Sequence, residues 1–249
     1  MTAIAIIPAR FGSTRFPAKI LASETGKPLV QHVVDRVKLC KRVADVIVAT
    51  DDRRISDALA EFGTKTVMTS PAHQSGTDRI AEVVRDLPID IDVIVNVQGD
   101  EPEIEPEVVD GLVRRMESSD DDMATAATPF PAGADPNDPN LVKVTTNLDG
   151  RALYFSRSPI PYRRDSTQTD PPPYYLHLGI YAYRRNFLLK YASWPPTRLE
   201  TTEKLEQLRA LEHGRSIFVL TVNRATHGID TAEQYREFVR RLKTEPAQH

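Results

Sequence analysis

Apolar residues in the first half of the chain fall into short runs separated by stretches with helical spacing. The runs at 4–7, 46–49 and 92–97 have the length of buried strands. Between the first two runs, apolar residues recur at the intervals of one helix face: Val30, Val33, Val34, Val37 and Cys40. Strands that alternate with helices are typical of a parallel sheet covered by helices. The pattern therefore predicts an α/β fold.

The pattern changes in the second half of the chain. A strand is predicted at 123–129, and short alternating strands at 142–146 and 152–156 surround Asp149-Gly150, which is typical of a hairpin. The proline-rich loop 157–173 has a length that favours a lid or an interface. This part is predicted to be a smaller, β-rich region.

Three further elements are predicted from the polar and apolar positions of the second half. The acidic run 118–122 is expected to be a solvated loop. A continuous helix is predicted over 199–213, with leucines on one side. Its polar residues Glu203, Glu206, Gln207 and Arg209 are expected mostly to face water, with one of them pointing into the site as the alternative. A strand over 217–222 then leads to the glycine-containing segment 228–231.

The strand at 177–183 places His177, Gly179, Tyr181 and Tyr183 on one face. A histidine on such a face is either a core residue hydrogen-bonded to the backbone or part of a sugar pocket. The alternation of residues is the same in both cases, so both interpretations remain open.

Polar sequences follow the predicted strands of the first half. Right-handed crossovers bring the carboxyl ends of parallel strands to one edge of a sheet, where ligands bind. Three cations follow the first strand within ten residues: Arg10, Arg15 and Lys19. The backbone N–H groups of 12–14 lie among them, and such loops bind phosphate. The segment predicts a triphosphate site, with a merely exposed cationic loop as the alternative.

Two aspartates follow glycine-containing turns at strand ends. Asp100 comes after Gly99 at the end of the most apolar strand, and Asp230 follows Gly228 before the last helix. Magnesium prefers one or two carboxylates together with substrate phosphate oxygens. The two aspartates are candidate metal ligands, although an ordinary turn at Asp100 and a helix N-cap at Asp230 or Thr231 are the structural alternatives.

The polar turn at 73–79 leads into a further predicted helix. Ser75 or Thr77 can cap that helix, and the free N–H groups of its first turn can bind an anion or a base edge. Both roles are compatible with the sequence.

Charge and composition narrow the class of protein. The 249 residues include 32 basic and 35 acidic side chains, a net charge of −3 that does not favour coating nucleic acid or an anionic membrane. No apolar run has the length of a membrane helix, and no signal peptide is recognised, so a cytoplasmic protein is expected. The single cysteine, Cys40, excludes an internal disulfide and fits a core position.

Several motifs resemble those of sugar-activating cytidylyltransferases, most closely the 3-deoxy-manno-octulosonate cytidylyltransferase family, whose members are also called CMP-KDO synthetases. The matching segments, in the family's order, are IPARFGSTRFPAK at 7–19, VATD at 48–51, HQSGTDR at 73–79, VNVQGDEP at 95–102, ALYFSR at 152–157, HLGIY at 177–181, LEQLR at 205–209 and GID at 228–230. Together they span nearly the whole chain. One departure is Ala18, where the family usually has glycine, and a methyl group there should not abolish phosphate binding.

The resemblance implies a Rossmann-like nucleotidyltransferase fold and a role for each matching residue. The residues implied in nucleotide binding are Pro8, Ala9, Arg10, Ser13, Ser75, Arg79 and Gln98. Those implied in catalysis are Arg15, Lys19, Asp100 and Asp230, with the two aspartates binding Mg²⁺. Those implied in sugar-acid binding are Arg157, His177, Tyr181, Glu206 and Gln207.

The resemblance also implies a reaction and an organisation. The reaction would transfer CMP from CTP to 3-deoxy-D-manno-octulosonate for lipopolysaccharide biosynthesis, in a homodimer without nucleic-acid or membrane partners. One domain over 1–249 is expected, with 1–130 mainly for the nucleotide, 140–215 for sugar binding and dimerisation, and 216–249 closing the fold. The alternatives are a cytidylyltransferase for sialic acid or 8-amino-octulosonate, and a non-catalytic nucleotide sensor.

Overall fold

The computed structural model describes residues 1–12, 15–165, 174–223 and 228–244. Ser13, Thr14 and residues 166–173 of the proline-rich loop lie outside these ranges. The chain divides into two compact units, residues 1–110 with 226–249 and residues 111–225. The expectation of one domain with three functional parts stays a prediction.

The first unit contains a parallel sheet flanked by helices. Its strands are β1 (Thr2–Ala9), β2 (Asp45–Thr50), β3 (Thr66–Met68) and β4 (Ile91–Asn96), in the order β3-β2-β1-β4. All three pairings among these strands are parallel. Its helices are α1 (Leu29–Val37), α2 (Arg53–Ala60) and α3 (Gly76–Arg85), and α4 (Pro106–Glu117) leads from the first unit into the second. The predicted α/β fold is confirmed.

Burial explains why β1 lies inside this sheet. Consecutive residues Ile6 and Ile7 point to opposite faces, and neither is exposed to solvent. A strand whose two faces are both covered must be apolar along its buried length, as β1 is from Ala3 to Ala9. Its carboxyl end, at Pro8 and Ala9, therefore opens from the centre of the unit.

The second unit contains a mixed sheet. Its strands are β5 (Met123–Pro129), β6 (Lys143–Thr146), β7 (Ala152–Ser156), β8 (Tyr175–Arg184) and β9 (Ile217–Thr221). β5 pairs antiparallel with β8 and parallel with β9, while β6 pairs antiparallel with β7 and β8. Its helices are α5 (Arg185–Ala192), α6 (Arg198–Glu203) and α7 (Leu208–Glu212). The prediction of a mixed, β-rich part is confirmed, and the hairpin turns at Gly150, whose φ is +76°.

The helix predicted over 199–213 is wrong, because α6 and α7 are separate. Lys204 ends α6 in the left-handed conformation, with φ +53°. Arg157 holds this turn by donating to the carbonyl oxygens of Glu203 at 2.6 Å and Lys204 at 3.2 Å. The prediction that the polar side chains mostly face water is wrong for Gln207 and Arg209, which are 4% and 6% exposed, whereas Glu203 and Glu206 are partly exposed.

The acidic run 118–122 is not a fully solvated loop. The side chain of Asp121 is 2% exposed and accepts hydrogen bonds from Arg115 and Arg151. Arg115 lies in α4, 6 residues before Asp121, and Arg151 lies before β7, 30 residues after Asp121, so the composition of the acidic run alone did not reveal these pairings. The sequence prediction is corrected at this position.

Cys40 occupies a core position, as the sequence predicts. The Cys40 side chain is buried, and burial together with nearby Asp110 raises the pKa of its thiol to about 12, which is unsuited to a nucleophile. Across the described residues, no helix combines the length and apolar character needed to span a membrane.

Candidate active site

Lys19 lies where three segments of the first unit meet. Its ammonium donates to Oδ2 of Asp100 at 2.6 Å and to Oδ1 of Asp230 at 3.0 Å. Arg15 adds an ion pair of 3.0 Å to Oδ2 of the same Asp230. Four charged residues that are up to 215 positions apart in sequence (230 − 15) therefore form one connected cluster.

The backbone brings the two aspartates together. The N–H of Ile229 donates to the carbonyl oxygen of Asp100 at 2.8 Å, which joins the turn after β4 to the segment before the last helix, α8 (Ala232–Thr244). Gly99 allows this turn to approach β1, because a Cβ at position 99 would lie 3.2 Å from the carbonyl oxygen of Pro8. A side chain at this glycine would push Asp100 away from Lys19.

The helix cap at α8 is made by Thr231 and not by the Asp230 side chain. The hydroxyl oxygen of Thr231 accepts from the N–H of Gln234 at 3.2 Å, and Oε1 of Gln234 accepts from the N–H of Thr231 at 3.0 Å. This reciprocal arrangement satisfies the start of the helix. The carboxylate of Asp230 is thereby left to face Lys19 and Arg15.

The backbone immediately before Lys19 is strained. Ala18 has φ +55° and ψ +23°, the left-handed region that glycine adopts more readily than alanine. The turn of 3₁₀ helix at Lys19–Leu21 begins directly afterwards. This conformation explains why glycine is usual here in the resembled family, and shows that the fold accommodates a methyl group.

A cavity of about 650 Å³ opens beside the charged cluster. Its lining is formed by Pro8, Arg10, Gly12, Arg15, Lys19, Ile20, Gln98, Gly99, Asp100 and Asp230. Positive side chains from the loop after β1 face carboxylates and an amide from the other segments. A cavity with this lining is suited to a polyanion that carries a divalent cation.

Three of the predicted nucleotide-binding residues differ in their surroundings. Ser75 caps α3, since its hydroxyl accepts from the N–H of Asp78 at 3.1 Å and its own N–H donates back to that side chain at 3.3 Å. Arg79 is 4% exposed and donates to Asp51 at 2.8 Å, so it fixes the loop after β2. Only Gln98 lines the cavity, and the nucleotide contacts of all three stay predictions.

The two residues at the end of β1 also differ. Pro8 lines the cavity, and its ring lies 3.2 Å from where a Cβ on Gly76 would sit, which brings the start of α3 close to the strand end. Ala9 is 1% exposed. Its side chain packs in the core, so any contribution to nucleotide binding would come from its backbone.

Arg157, in the second unit, is largely engaged by the protein. Besides the two carbonyl oxygens of the Lys204 turn, it donates to the carbonyl oxygen of Pro139 at 2.7 Å. These bonds use three of the five N–H donors of a guanidinium group. Within the described ranges the other two donors have no protein acceptor, and binding of the sugar carboxylate stays a prediction.

His177 lies in a row of aromatic rings. Its ring lies 4.9 Å from that of Phe155 and 5.5 Å from that of Tyr181, which in turn stacks on Tyr183. Burial lowers the pKa of His177 to about 3, and Nε2 shares a 3.0 Å hydrogen bond with the hydroxyl of Thr125. The histidine is therefore neutral at physiological pH, so its predicted part in sugar binding would rest on hydrogen bonding and shape and not on charge.

The segment around the start of α7 is held by Tyr191 and Glu200, which the sequence interpretation did not single out. The hydroxyl of Tyr191 donates to the carbonyl oxygen of Glu206 at 2.6 Å. Arg209 forms a buried ion pair with Glu200, with Nε at 2.8 Å from Oε2. One signal in the sequence could have drawn attention to Glu200. It is the third residue after Thr197 in a capping-box pattern, which marks the start of α6.

Gln207 carries a donor that the protein leaves free. Within the part of the chain that the structure describes, its buried Nε2 has no hydrogen-bond partner. Such a group costs free energy unless a ligand or water satisfies it. Gln207 thus has the property expected of a ligand-binding side chain.

The residues present fit one divalent cation shared with a substrate. Among the described residues, no group of three or more histidine, cysteine or acidic side chains is arranged to hold a metal ion by itself. Asp100 and Asp230 nevertheless present two carboxylates to a single point, the Lys19 ammonium. Mg²⁺ favours a ligand set of one or two carboxylates, with its other coordination positions occupied by phosphate oxygens and water.

Comparison with known proteins places this geometry in a family. The cytidylyltransferase family model matches residues 4–217. A 3-deoxy-manno-octulosonate cytidylyltransferase of Geobacter sulfurreducens is 47% identical over 98% of this chain and 100% of its own length. A CMP:2-keto-3-deoxy-manno-octonic acid synthetase solved in complex with CTP superposes with a TM-score of 0.91 at 40% identity, covering 99% of this chain and 100% of the other.

More distant structures share the fold alone. A cytidylyltransferase from Leptospira borgpetersenii superposes with a TM-score of 0.64 at 16% identity, over 99% of this chain and 89% of that one.

Cytidylyltransferases generally use a divalent metal. The family match and the identities over nearly the whole length show that the chain belongs to the cytidylyltransferase family, among the 3-deoxy-manno-octulosonate cytidylyltransferases.

Proposed function

We propose that this protein transfers CMP from CTP to the anomeric hydroxyl of 3-deoxy-D-manno-octulosonate, with release of pyrophosphate. The observation that carries the proposal is the cluster of Arg15, Lys19, Asp100 and Asp230 beside a cavity at the carboxyl ends of β1 and β4. Its cations suit a triphosphate and its carboxylates suit the accompanying metal. The activity of the full-length relatives supports the choice of nucleotide and acceptor.

The residues of the loop after β1 hold the phosphates. In the reaction, the hydroxyl oxygen of the sugar acid forms a bond to the α-phosphorus, the bond to the bridging oxygen breaks, and the hydroxyl proton leaves to solvent. Arg10, Arg15 and Lys19 neutralise negative charge on the departing pyrophosphate. Positioning and charge neutralisation supply most of the catalysis in such transfers, so no covalent protein intermediate is required.

Asp100 and Asp230 are the proposed ligands of Mg²⁺. When bound, the metal supplies a Lewis acid that withdraws charge from phosphate oxygens and lowers the pKa of a hydroxyl. The protein's contribution is to hold the two carboxylates rigidly, Asp100 through the close packing of Gly99 and Asp230 through the neighbouring cap at Thr231.

The sugar acid is proposed to bind in the second unit. The five residues proposed to line that site are Arg157, His177, Tyr181, Glu206 and Gln207. The two remaining donors of Arg157 suit a carboxylate, and the unsatisfied Nε2 of Gln207 suits a sugar hydroxyl oxygen. His177, being neutral, contributes a hydrogen bond and not a charge.

Release of pyrophosphate tests the function directly. Each nucleoside triphosphate is incubated with Mg²⁺ and, in separate reactions, with 3-deoxy-D-manno-octulosonate, its 8-amino analogue, sialic acid or no acid. We expect release to need CTP and the octulosonate together. A preference for another acid would identify a related cytidylyltransferase, and CTP binding without any release would identify a nucleotide sensor.

A homodimer in the cytoplasm completes the proposal. The second unit exposes large apolar or aromatic side chains, with Leu148 fully exposed, Leu153 62% exposed and Tyr162 86% exposed. Exposed apolar groups on an edge strand and its flanking loops are typical of an interface. Sedimentation equilibrium should give about twice the monomer mass of 27.9 kDa, and Leu153→Lys should lower that mass. A monomer at micromolar concentration would contradict this proposal.

A further inference from the structure

We propose that Lys19 and the divalent cation compete for the same two carboxylates, so that the cation site opens when a nucleotide draws Lys19 away. This inference rests on the proposed function, in which Asp100 and Asp230 bind the metal. It adds a second role for Lys19, which is to occupy the metal ligands until the triphosphate is present.

The position of the ammonium carries this inference. Nζ of Lys19 lies 2.6 Å from Oδ2 of Asp100 and 3.0 Å from Oδ1 of Asp230, so it bridges one oxygen of each group. The Lys19 side chain is only 9% exposed, whereas those of Asp100 and Asp230 are 28% and 39% exposed. All three side chains line the cavity, and the carboxylates are more accessible to solvent than the lysine that joins them.

A cation bound by these same oxygens would lie close to the ammonium. Mg²⁺ sits about 2.0–2.1 Å from its oxygen ligands, so it would lie within roughly 5 Å of Nζ. Like charges at that separation repel, and burial of Lys19 limits screening by water. Arg15, 3.0 Å from the other oxygen of Asp230, adds a further positive charge.

The triphosphate removes this conflict. The lysine side chain is a flexible stem of four carbons, so its ammonium can turn from the carboxylates towards phosphate oxygens lying in the same cavity. Each movement of Lys19 towards phosphate frees two carboxylate oxygens for the cation. Because coupling of two ligands is reciprocal, the cation must raise nucleotide affinity by the factor by which the nucleotide raises cation affinity.

Binding of Mn²⁺ without nucleotide tests the inference, with free Mn²⁺ measured by electron paramagnetic resonance. We expect Lys19→Met to bind Mn²⁺ at least tenfold more tightly than the unchanged protein, because the competing charge is gone. Lys19→Arg should resemble the unchanged protein. Lys27→Met serves as the control, since Lys27 pairs with Asp35 elsewhere in the first unit. Equal Mn²⁺ affinity in the unchanged protein and Lys19→Met would overturn the inference.

A double variant separates this inference from the proposed function. If Lys19→Met binds tightly and Lys19→Met/Asp100→Asn does not, the cation is held by the proposed ligands. If the tight binding survives Asp100→Asn, the metal-ligand assignment itself is overturned. Should Lys19→Met be unstable without metal, the rise of its melting temperature with Mn²⁺ reports the same affinity. An equal rise in the unchanged protein would again contradict the competition.

Discussion

Asp100→Asn is expected to lower the turnover number for CMP transfer by roughly a thousandfold, about 4 kcal/mol of transition-state stabilisation. The substitution keeps the size of the side chain and one oxygen that can accept a hydrogen bond from Lys19. In the unchanged protein, Nζ of Lys19 lies 2.6 Å from Oδ2 of Asp100. It removes the negative charge that the proposed metal site needs. Phosphoryl transfer depends on neutralising charge, so the loss should appear in the chemical step.

Steady-state kinetics at saturating CTP, octulosonate and Mg²⁺ would measure this effect. The matched control is Asp90→Asn, an exposed aspartate in the loop before β4, which should leave turnover unchanged. Thermal unfolding of both variants shows whether the fold is retained. Normal turnover of Asp100→Asn at high Mg²⁺ would remove Asp100 from the metal site.

Asp121→Asn is expected to lower the free energy of unfolding by about 3 kcal/mol at neutral pH. The Asp121 carboxylate joins Arg115 of α4 to Arg151 before β7, and its side chain is 2% exposed. Removing the charge leaves two arginines facing each other without their common partner. The arginines are 27% and 39% exposed, so water can solvate them in part, which keeps the loss below that of a fully buried pair.

The same carboxylate predicts a dependence of stability on pH. Burial opposes ionisation of Asp121, but hydrogen bonds from Arg115, Ser119 and Arg151 outweigh it, so its pKa lies below the ordinary value of 3.8. A lowered pKa in the folded state means that this contribution is present above about pH 4 and is lost as pH falls further.

Urea unfolding at pH 7 and at progressively lower pH would check both expectations. Asp120→Asn is the control, because Asp120 is the preceding residue and is exposed. The gap in stability between the Asp121 variant and the unchanged protein should narrow below pH 4. A gap under 1 kcal/mol at pH 7, or one that widens in acid, would contradict the prediction.

The sequence by itself was sufficient to predict the parallel sheet and its flanking helices. These features depend on neighbouring residues, because burial on both faces requires continuous apolar runs such as that of β1. A helix cap likewise depends on residues three positions apart, as Ser75 and Asp78 show. Each family motif is likewise a short contiguous segment that can be recognised from neighbouring residues alone.

Only the tertiary structure decided features that join distant positions. Periodicity in 199–213 favoured one helix, whereas contacts from Arg157 to the carbonyl groups of 203 and 204 stabilise a left-handed turn that splits it. Composition favoured a solvated loop around Asp121, whereas its carboxylate is buried in ion pairs with Arg115 and Arg151. The direct pairing of Lys19 with both aspartates also appeared only in the structure, since a sequence orders residues along the chain but does not give the distances between charges that lie far apart in it.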